Sequence, residues 1–307
     1  MDALRQAGLF LFLSFVWGTA FVAISAGLAD LPPVLFAGIR YDIAGIIMLG
    51  YVIVRGHHWW PEVRADWALI AVGSVLIITA YNSLLFIGQQ EVSSGAAAII
   101  IATIPILSTV FARVFIPTER LTLVGTFGLL LGFLGVAFVA APSPSNLLSD
   151  AGIASFLVLL AAASGALGSV MTQWLDATLS TEGLVAWSCI LGAIFLHLIS
   201  FALPGETFAQ ATITSTAIIA VVYLGVFASA VGYLIYFDLL KRLGAIQINL
   251  VSYAVPIFAT SLGWFLLDET VTLWTLLGFL TIFLGFILIK RDAIARQWHS
   301  ASFPRLP

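Results

Sequence analysis

A chain of 307 residues has the length of two soluble domains, yet this one is 61% hydrophobic and 9% charged, against roughly 45–50% and 25% for a soluble globular domain. Polar groups could not cover that much apolar surface in water, so a soluble fold is excluded. The net charge of −3 offers nucleic acid no electrostatic footprint, and the single cysteine, Cys189, rules out an intrachain disulfide.

A helix rises about 1.5 Å per residue and the bilayer's hydrocarbon core is about 30 Å thick, so a crossing takes roughly 20 apolar residues. Blocks of that length run at approximately 7–28, 32–54, 67–87, 94–115, 122–140, 151–172, 182–203, 214–239, 245–266 and 270–290. The first begins like a signal peptide, with Arg5 followed by Leu9–Val16. No A-x-A pattern leads into a polar domain, however, so a retained helix is expected. The breaks carry turn chemistry: Leu31-Pro32-Pro33, Arg55–Asp66, Pro117-Thr118-Glu119-Arg120, Ala141–Asn146 and Pro204-Gly205-Glu206. The fold class expected is an all-α membrane protein of ten transmembrane helices in the lipid bilayer.

Lys and Arg set the orientation. With the N-terminus in the cytoplasm and ten crossings, Arg5, Arg55, Arg64, Arg113, Arg120, Lys241, Arg242, Lys290, Arg291, Arg296 and Arg305 all fall on the cytoplasmic side. No external loop carries one, and only Arg40 lies inside a span. A wrong helix count would scatter these charges, so both termini are expected inside a cell (inner or plasma) membrane. Trp59, Trp60 and Trp67 near the inner boundary, and Trp264 and Trp274 near the outer one, fit aromatic belts.

The chain also repeats itself weakly. Gly95–Ala98 leads to Pro105, Glu119, Gly128 and Gly135, and Gly244-Ala245 leads to Pro256, Glu269, Gly278 and Gly285. Upstream, Tyr81 and Phe86 parallel Tyr233 and Phe237. Five helices per copy is an odd number, so the copies cross the membrane in opposite directions. Secondary transporters use such inverted repeats to build a site where the halves meet. The division expected is a first five-helix repeat at 7–140, a second at 151–290 and a cytoplasmic tail at 291–307.

These features together resemble the drug/metabolite transporter superfamily, in its EamA-like branch of two tandem five-helix units. The likeness is carried by Trp17-Gly18-Thr19-Ala20-Phe21, by Arg40, by Pro105 followed by Thr118-Glu119-Arg120-Leu121-Thr122, and by Pro256, Asp268-Glu269 and Gly278. It covers about 7 to 290. The resemblance implies a central cavity lined by spans one to four and six to nine, and export or uptake of amino acids, other metabolites or drugs, with export the direction expected here. One departure stands out: the second copy has Ser164-Gly165 where the first has Trp17-Gly18.

Arg40 is the sharpest single signal. It sits about three residues from the middle of its span, so about 4–5 Å from the midplane, where an arginine costs at least about 2.5–3.5 kcal/mol unless it faces protein or water. Asp42, two residues on, points to another side of the helix and is a poor partner. Three accounts stay open: a structural arginine binding carbonyls of a neighbour, a charge that attracts an anionic group such as a carboxylate, or a side chain that snorkels to the interface. The remaining polar-tipped side chains inside spans are Trp17, Tyr81, Asn82, Trp187, Tyr233, Tyr236, Gln247, Asn249 and Tyr253. As a set with Arg40 they are the candidate substrate contacts, and they suggest a neutral, aromatic cavity with one positive charge. Pro105 and Pro256, in mid-span, are candidate hinges that free the carbonyls of Ile101 and Ser252. His197 is open to two readings, a proton relay or a packed histidine, and with no carboxylate evidently arranged with it the packed one is expected. Glu119 and Glu269 read as helix-start carboxylates of spans five and ten.

No H-E-x-x-H, S-x-x-K or G-x-S-x-G pattern supports a membrane enzyme, and no P-loop supports a pump, so no cofactor and no metal site are expected. The partner expected is a small-molecule substrate. A channel or facilitative pore is the alternative to a carrier.

Overall fold

The computed structural model describes residues 2–115, 123–140, 149–174, 178–243, 248 and 250–302. Among the described residues there are ten helices and no strand. They are α1 (Asp2–Leu28), α2 (Pro33–Val54), α3 (Arg64–Gly88), α4 (Ser94–Ile101 and Ile104–Phe115) and α5 (Leu123–Ala140). The second set is α6 (Asp150–Trp174), α7 (Thr181–Ala202), α8 (Ser215–Val222, Tyr223–Val231 and Gly232–Leu243 in succession), α9 (Val251–Leu267) and α10 (Leu273–Ser302). Seven of these, α1–α4 and α6–α8, are long and apolar enough to cross a membrane, and α5, α9 and α10 carry shorter apolar stretches. The end at which α1 begins is here the near end of the bundle, and the opposite end the far end.

The packing has the symmetry of an inverted repeat. α1 lies along α9 and, equivalently, α6 lies along α4, while α2 pairs with α7 and α5 with α10. Glycine permits the closest of these approaches. A Cβ on Gly128 would sit 2.6 Å from the Gly285 carbonyl, and one on Gly135 2.7 Å from that of Gly278, so the α5 and α10 backbones meet directly.

Carboxylates tie the halves together at helix starts. Pro33, the first residue of α2, has no N–H, and the next two amides, of Val34 and Leu35, donate to Glu206 at 3.0–3.2 Å. Asp66, at the near end, accepts from the Thr178 and Leu179 amides ahead of α7 at 2.8 and 3.2 Å. Glu269 was expected to serve the start of its own helix. Instead it accepts from the Ser94 amide at 2.9 Å and the Ser94 hydroxyl at 2.7 Å, at the start of α4. The favourable interaction of an anion with a helix N-terminus is retained, but the helix belongs to the other half. Glu119 lies outside the described residues.

Two features of the backbone were not expected. The middle of α3 (Gly73–Ala80) and the middle of α8 (Tyr223–Val231) are π-helical, at equivalent places in the two copies. The two prolines also differ. α9 runs through Pro256 unbroken. α4 is interrupted at Ala102-Thr103, the Thr103 hydroxyl donating to the Ile100 carbonyl at 2.6 Å, and Pro105 is the second residue of the resumed helix. There the missing N–H costs nothing, because first-turn amides have no partner inside their own helix.

Candidate functional site

Arg40 is buried where α2 crosses the π section of α8, with 8% of its surface exposed. Its Nε donates to the Ser229 hydroxyl at 2.9 Å. The guanidinium lies 5.0 Å from the Tyr41 ring centre and 6.0 Å from that of Phe86, within cation–π range. A guanidinium has five N–H donors. Among the described residues the Ser229 bond is the only hydrogen bond Arg40 makes, and no carboxylate lies within ion-pair distance of it. Coulomb attraction for an anion is strong in such a low-dielectric setting.

The groups around it are joined in a short network. The Tyr41 hydroxyl donates to Asn82 Oδ1 at 3.3 Å and lies 3.4 Å from the Tyr233 hydroxyl. Asn82 Nδ2 donates to the Ile78 carbonyl in the π section of α3 at 2.7 Å. Trp17 Nε1 donates to the Ala228 carbonyl in the π section of α8 at 3.0 Å, and the Trp17 ring packs 5.5 Å from that of Tyr236. The same bond is made in the other half by different chemistry: the Ser164 hydroxyl donates to the Leu76 carbonyl in the π section of α3 at 2.8 Å. The departure from Trp-Gly to Ser-Gly thus keeps the contact and gives up an aromatic ring. A π section offsets its carbonyls from the regular i→i+4 ladder and is a recurrent mark of functional sites.

Trp17, Arg40, Asn82, Tyr233 and Tyr236 are therefore gathered where α1, α2, α3 and α8 meet. Tyr81, next to Asn82, packs toward α6, where a Cβ on Gly165 would lie 3.0 Å from its ring. Trp187 lies elsewhere. Its Nε1 donates to the Trp59 carbonyl at 2.7 Å, and its ring lies 5.8–6.4 Å from those of Trp59, Trp60 and Trp67 near the start of α7. Tyr253 also faces away, its ring 4.6 Å from Phe286 and 5.4 Å from Phe283 on α10, with its hydroxyl buried and without a hydrogen-bond partner among the described residues. Gln247 and Asn249 lie outside the described residues.

The sequence reasoning missed Ser229 and Tyr41 as members of this group. A hydroxyl four residues before Tyr233 was the available signal, since i and i+4 share a helix face. His197 also needs correcting. It is not a lone packed histidine, for its Nε2 lies 2.7 Å from Asp42 Oδ2, on the opposite side of α2 from Ser229.

Comparison with known proteins agrees with this architecture. The model of the EamA-like transporter family matches twice, at residues 5–141 and 152–291. An uncharacterized transporter of Bacillus subtilis, YvbV, is 29% identical over 293 residues, covering 95% of this chain and 94% of its own. An uncharacterized inner membrane transporter of Escherichia coli K12, YedA, is 28% identical over 269 residues, covering 87% of this chain and 85% of its own. A solved crystal structure superposes with a TM-score of 0.65 at 19% identity, over 96% of this chain and 98% of that one, which shows a shared fold.

Proposed function

The chain belongs to the EamA-like transporter family, a multi-pass membrane transporter, and on that premise we propose a secondary carrier for a small organic metabolite bearing an anionic or carbonyl group. The single observation that carries this reading is Arg40, a buried guanidinium with one hydrogen bond and no acidic partner among the described residues. An unpaired charge in the membrane interior is costly and marks a substrate path by default. The aromatic groups at its side, with hydroxyl and indole tips bonded to one another and to the π sections, suit an amino acid, a related metabolite or a drug. The direction proposed is outward. An untargeted comparison of metabolites lost from cells that overproduce the protein, repeated with Arg40→Ala, tests the reading. A carrier gives a depleted anionic or carbonyl solute that Arg40→Ala restores. Conductance without saturable counterflow in vesicles would point to a pore instead.

The orientation proposed with it has both termini in the cytoplasm of an inner- or plasma-membrane protein, supported by the Lys and Arg distribution. Single cysteines in a Cys189→Ala background, labelled on intact cells with an impermeant reagent, should react at Ser145→Cys and not at Gly56→Cys. The reverse pattern would overturn the orientation.

A further inference from the structure

Asp42 and His197 take no part in the central group, and their surroundings are unusual for two ionisable side chains. Asp42 leaves α2 at the seam with α7, two residues from Arg40 and so on another side of the helix. Gly38, one turn away, leaves room for the imidazole: a Cβ there would sit 2.8 Å from His197 Cε1. The two side chains keep 46% and 34% of their surface exposed. Their neighbours on the same outer surface, Ile46, Ile194, Leu198 and Phe201, are exposed and apolar, so in a bilayer this surface meets hydrocarbon. Asp42 is nine residues into α2 and His197 five before the end of α7, which places both about 8–14 Å inside the far helix ends.

Hydrocarbon selects among the pair's charge states. A carboxylate beside a neutral imidazole has a net charge of −1, and an imidazolium beside a carboxylic acid has +1. With one shared proton the pair is neutral overall, and only that state avoids a net charge in the apolar layer. The other ionisable groups on α2, α7 and the helices packed against them are engaged or placed elsewhere. Arg40 is turned to Ser229, and Glu206 is held by the α2 amides at the far end. Tyr41 and Tyr233 bond within the central group, where Tyr236 also packs, Tyr81 packs toward α6, and Tyr223 donates to the Val16 carbonyl. Cys189 is buried two turns along α7. Asp30 bonds Thr214 at the far end, whereas Arg5, Tyr51, Arg64, Asp66, Glu182, Asp238 and Arg242 belong to the near halves of their helices.

We propose that Asp42 and His197 form a proton-binding site on the α2–α7 seam, distinct from the Arg40 site. The pair holds one proton while the seam faces hydrocarbon. It releases that proton to water, leaving a net charge of −1, when movement of α7 along α2 wets the seam. The use of that proton in a transport cycle rests on the carrier reading; the site itself does not.

The test uses the full-length protein in phospholipid vesicles at about pH 8, where an ordinary imidazole is neutral and an ordinary carboxyl is ionised. Nitrogen-15 histidine NMR reads an imidazolium, and infrared spectroscopy reads a carboxylic acid. The imidazolium should be present in the wild type and lost in Asp42→Asn, where no carboxylate faces the ring, while His197→Gln should lose it and show the carboxylic-acid signal of the lone Asp42 instead. Gly38→Ala removes neither group but pushes the ring aside, and it should lose the imidazolium signal. Two deprotonated groups in the wild type, or an unchanged signal in Gly38→Ala, would overturn the site. Neither spectrum needs a substrate, so the carrier reading fails separately, by an unchanged metabolite profile on overproduction. If a substrate is found, its transport by Asp42→Asn should lose at least about tenfold in response to an imposed pH gradient. Wild-type gradient dependence would overturn the coupling.

Discussion

The molecule holds two aromatic assemblies that look alike in composition and differ in what stands beside the rings. Trp59, Trp60, Trp67 and Trp187 form one at the near end, closed by one indole bond to a backbone carbonyl. Trp17, Tyr41, Phe86, Tyr233 and Tyr236 form the other, around Arg40 and against two π-helical sections. The first has partly exposed rings and a bonded Trp187 indole, the usual state of tryptophans at a membrane boundary. The second has a buried cation with donors to spare. Aromatic content does not distinguish a site from an anchor here; the uncompensated charge and the irregular backbone do.

The comparison breaks most visibly at Arg40. Arg40→Ala should lower transport by about 100-fold, the loss expected when a charged hydrogen bond worth about 1.5–3 kcal/mol goes with its Coulomb attraction. The purified variant should melt within a few degrees of the wild type, since the loss of one hydrogen bond and two cation–π contacts is offset by no longer burying an unpaired charge. Arg40→Lys should recover little, because an ammonium lacks the planar fork of donors. Unchanged substrate affinity in a folded Arg40→Ala protein, or a large fall in melting temperature with normal transport, would make the arginine structural.

Ser229 ranks next. It orients the guanidinium and carries no charge, so Ser229→Ala should weaken substrate affinity by about three- to tenfold and leave the maximal rate nearly unchanged. A variant that binds normally but turns over slowly would place Ser229 in the conformational change instead.

The two prolines differ in a way that orders the next effect. At Pro256 an alanine restores an N–H in the middle of a continuous helix, where it can bond the Ser252 carbonyl and straighten α9. At Pro105 the break lies just upstream and is closed by Thr103, so a new amide in the first turn has little to change. Pro256→Ala should therefore slow transport by about threefold, and Pro105→Ala by less, with affinity kept in both. Equal wild-type rates would make both prolines packing features.

How much of this was legible in the sequence follows from the physics of each signal. The ten helices were, because a crossing needs a fixed length of apolar chain, whereas the close approach of Gly128 to Gly285 was not, since a repeat of small residues does not say which helix packs on which. Arg40 was legible because a charge in hydrocarbon is rare. The π sections were not, since no composition rule marks a widened turn and Gly73–Ala80 has the apolar character of any span. Nor was the Asp42–His197 pair, 155 residues apart, because which side of α7 meets α2 is decided by packing. Glu269 was placed at the right level of the bundle and on the wrong helix for the same reason.

Trp187 shows the limit from the other side, and it should give the smallest effect on transport. Position within an apolar block places a side chain in depth only roughly, and nothing in the sequence says whether it turns inward or toward a loop. Here the indole reaches the Trp59 carbonyl at 2.7 Å, in the loop that precedes α3. Trp187→Phe keeps a ring among Trp59, Trp60 and Trp67 and removes one neutral hydrogen bond, worth about 1 kcal/mol. Trp59 lies in a partly exposed loop, so water can satisfy the carbonyl left behind. Melting should fall by about 2–4 °C, and transport should stay within about twofold of the wild type. Had the tryptophan faced the substrate, the opposite split would follow: normal melting and impaired affinity. That result would move the binding site from the Arg40 group toward the near end, and it would remove the distinction drawn between the two aromatic assemblies.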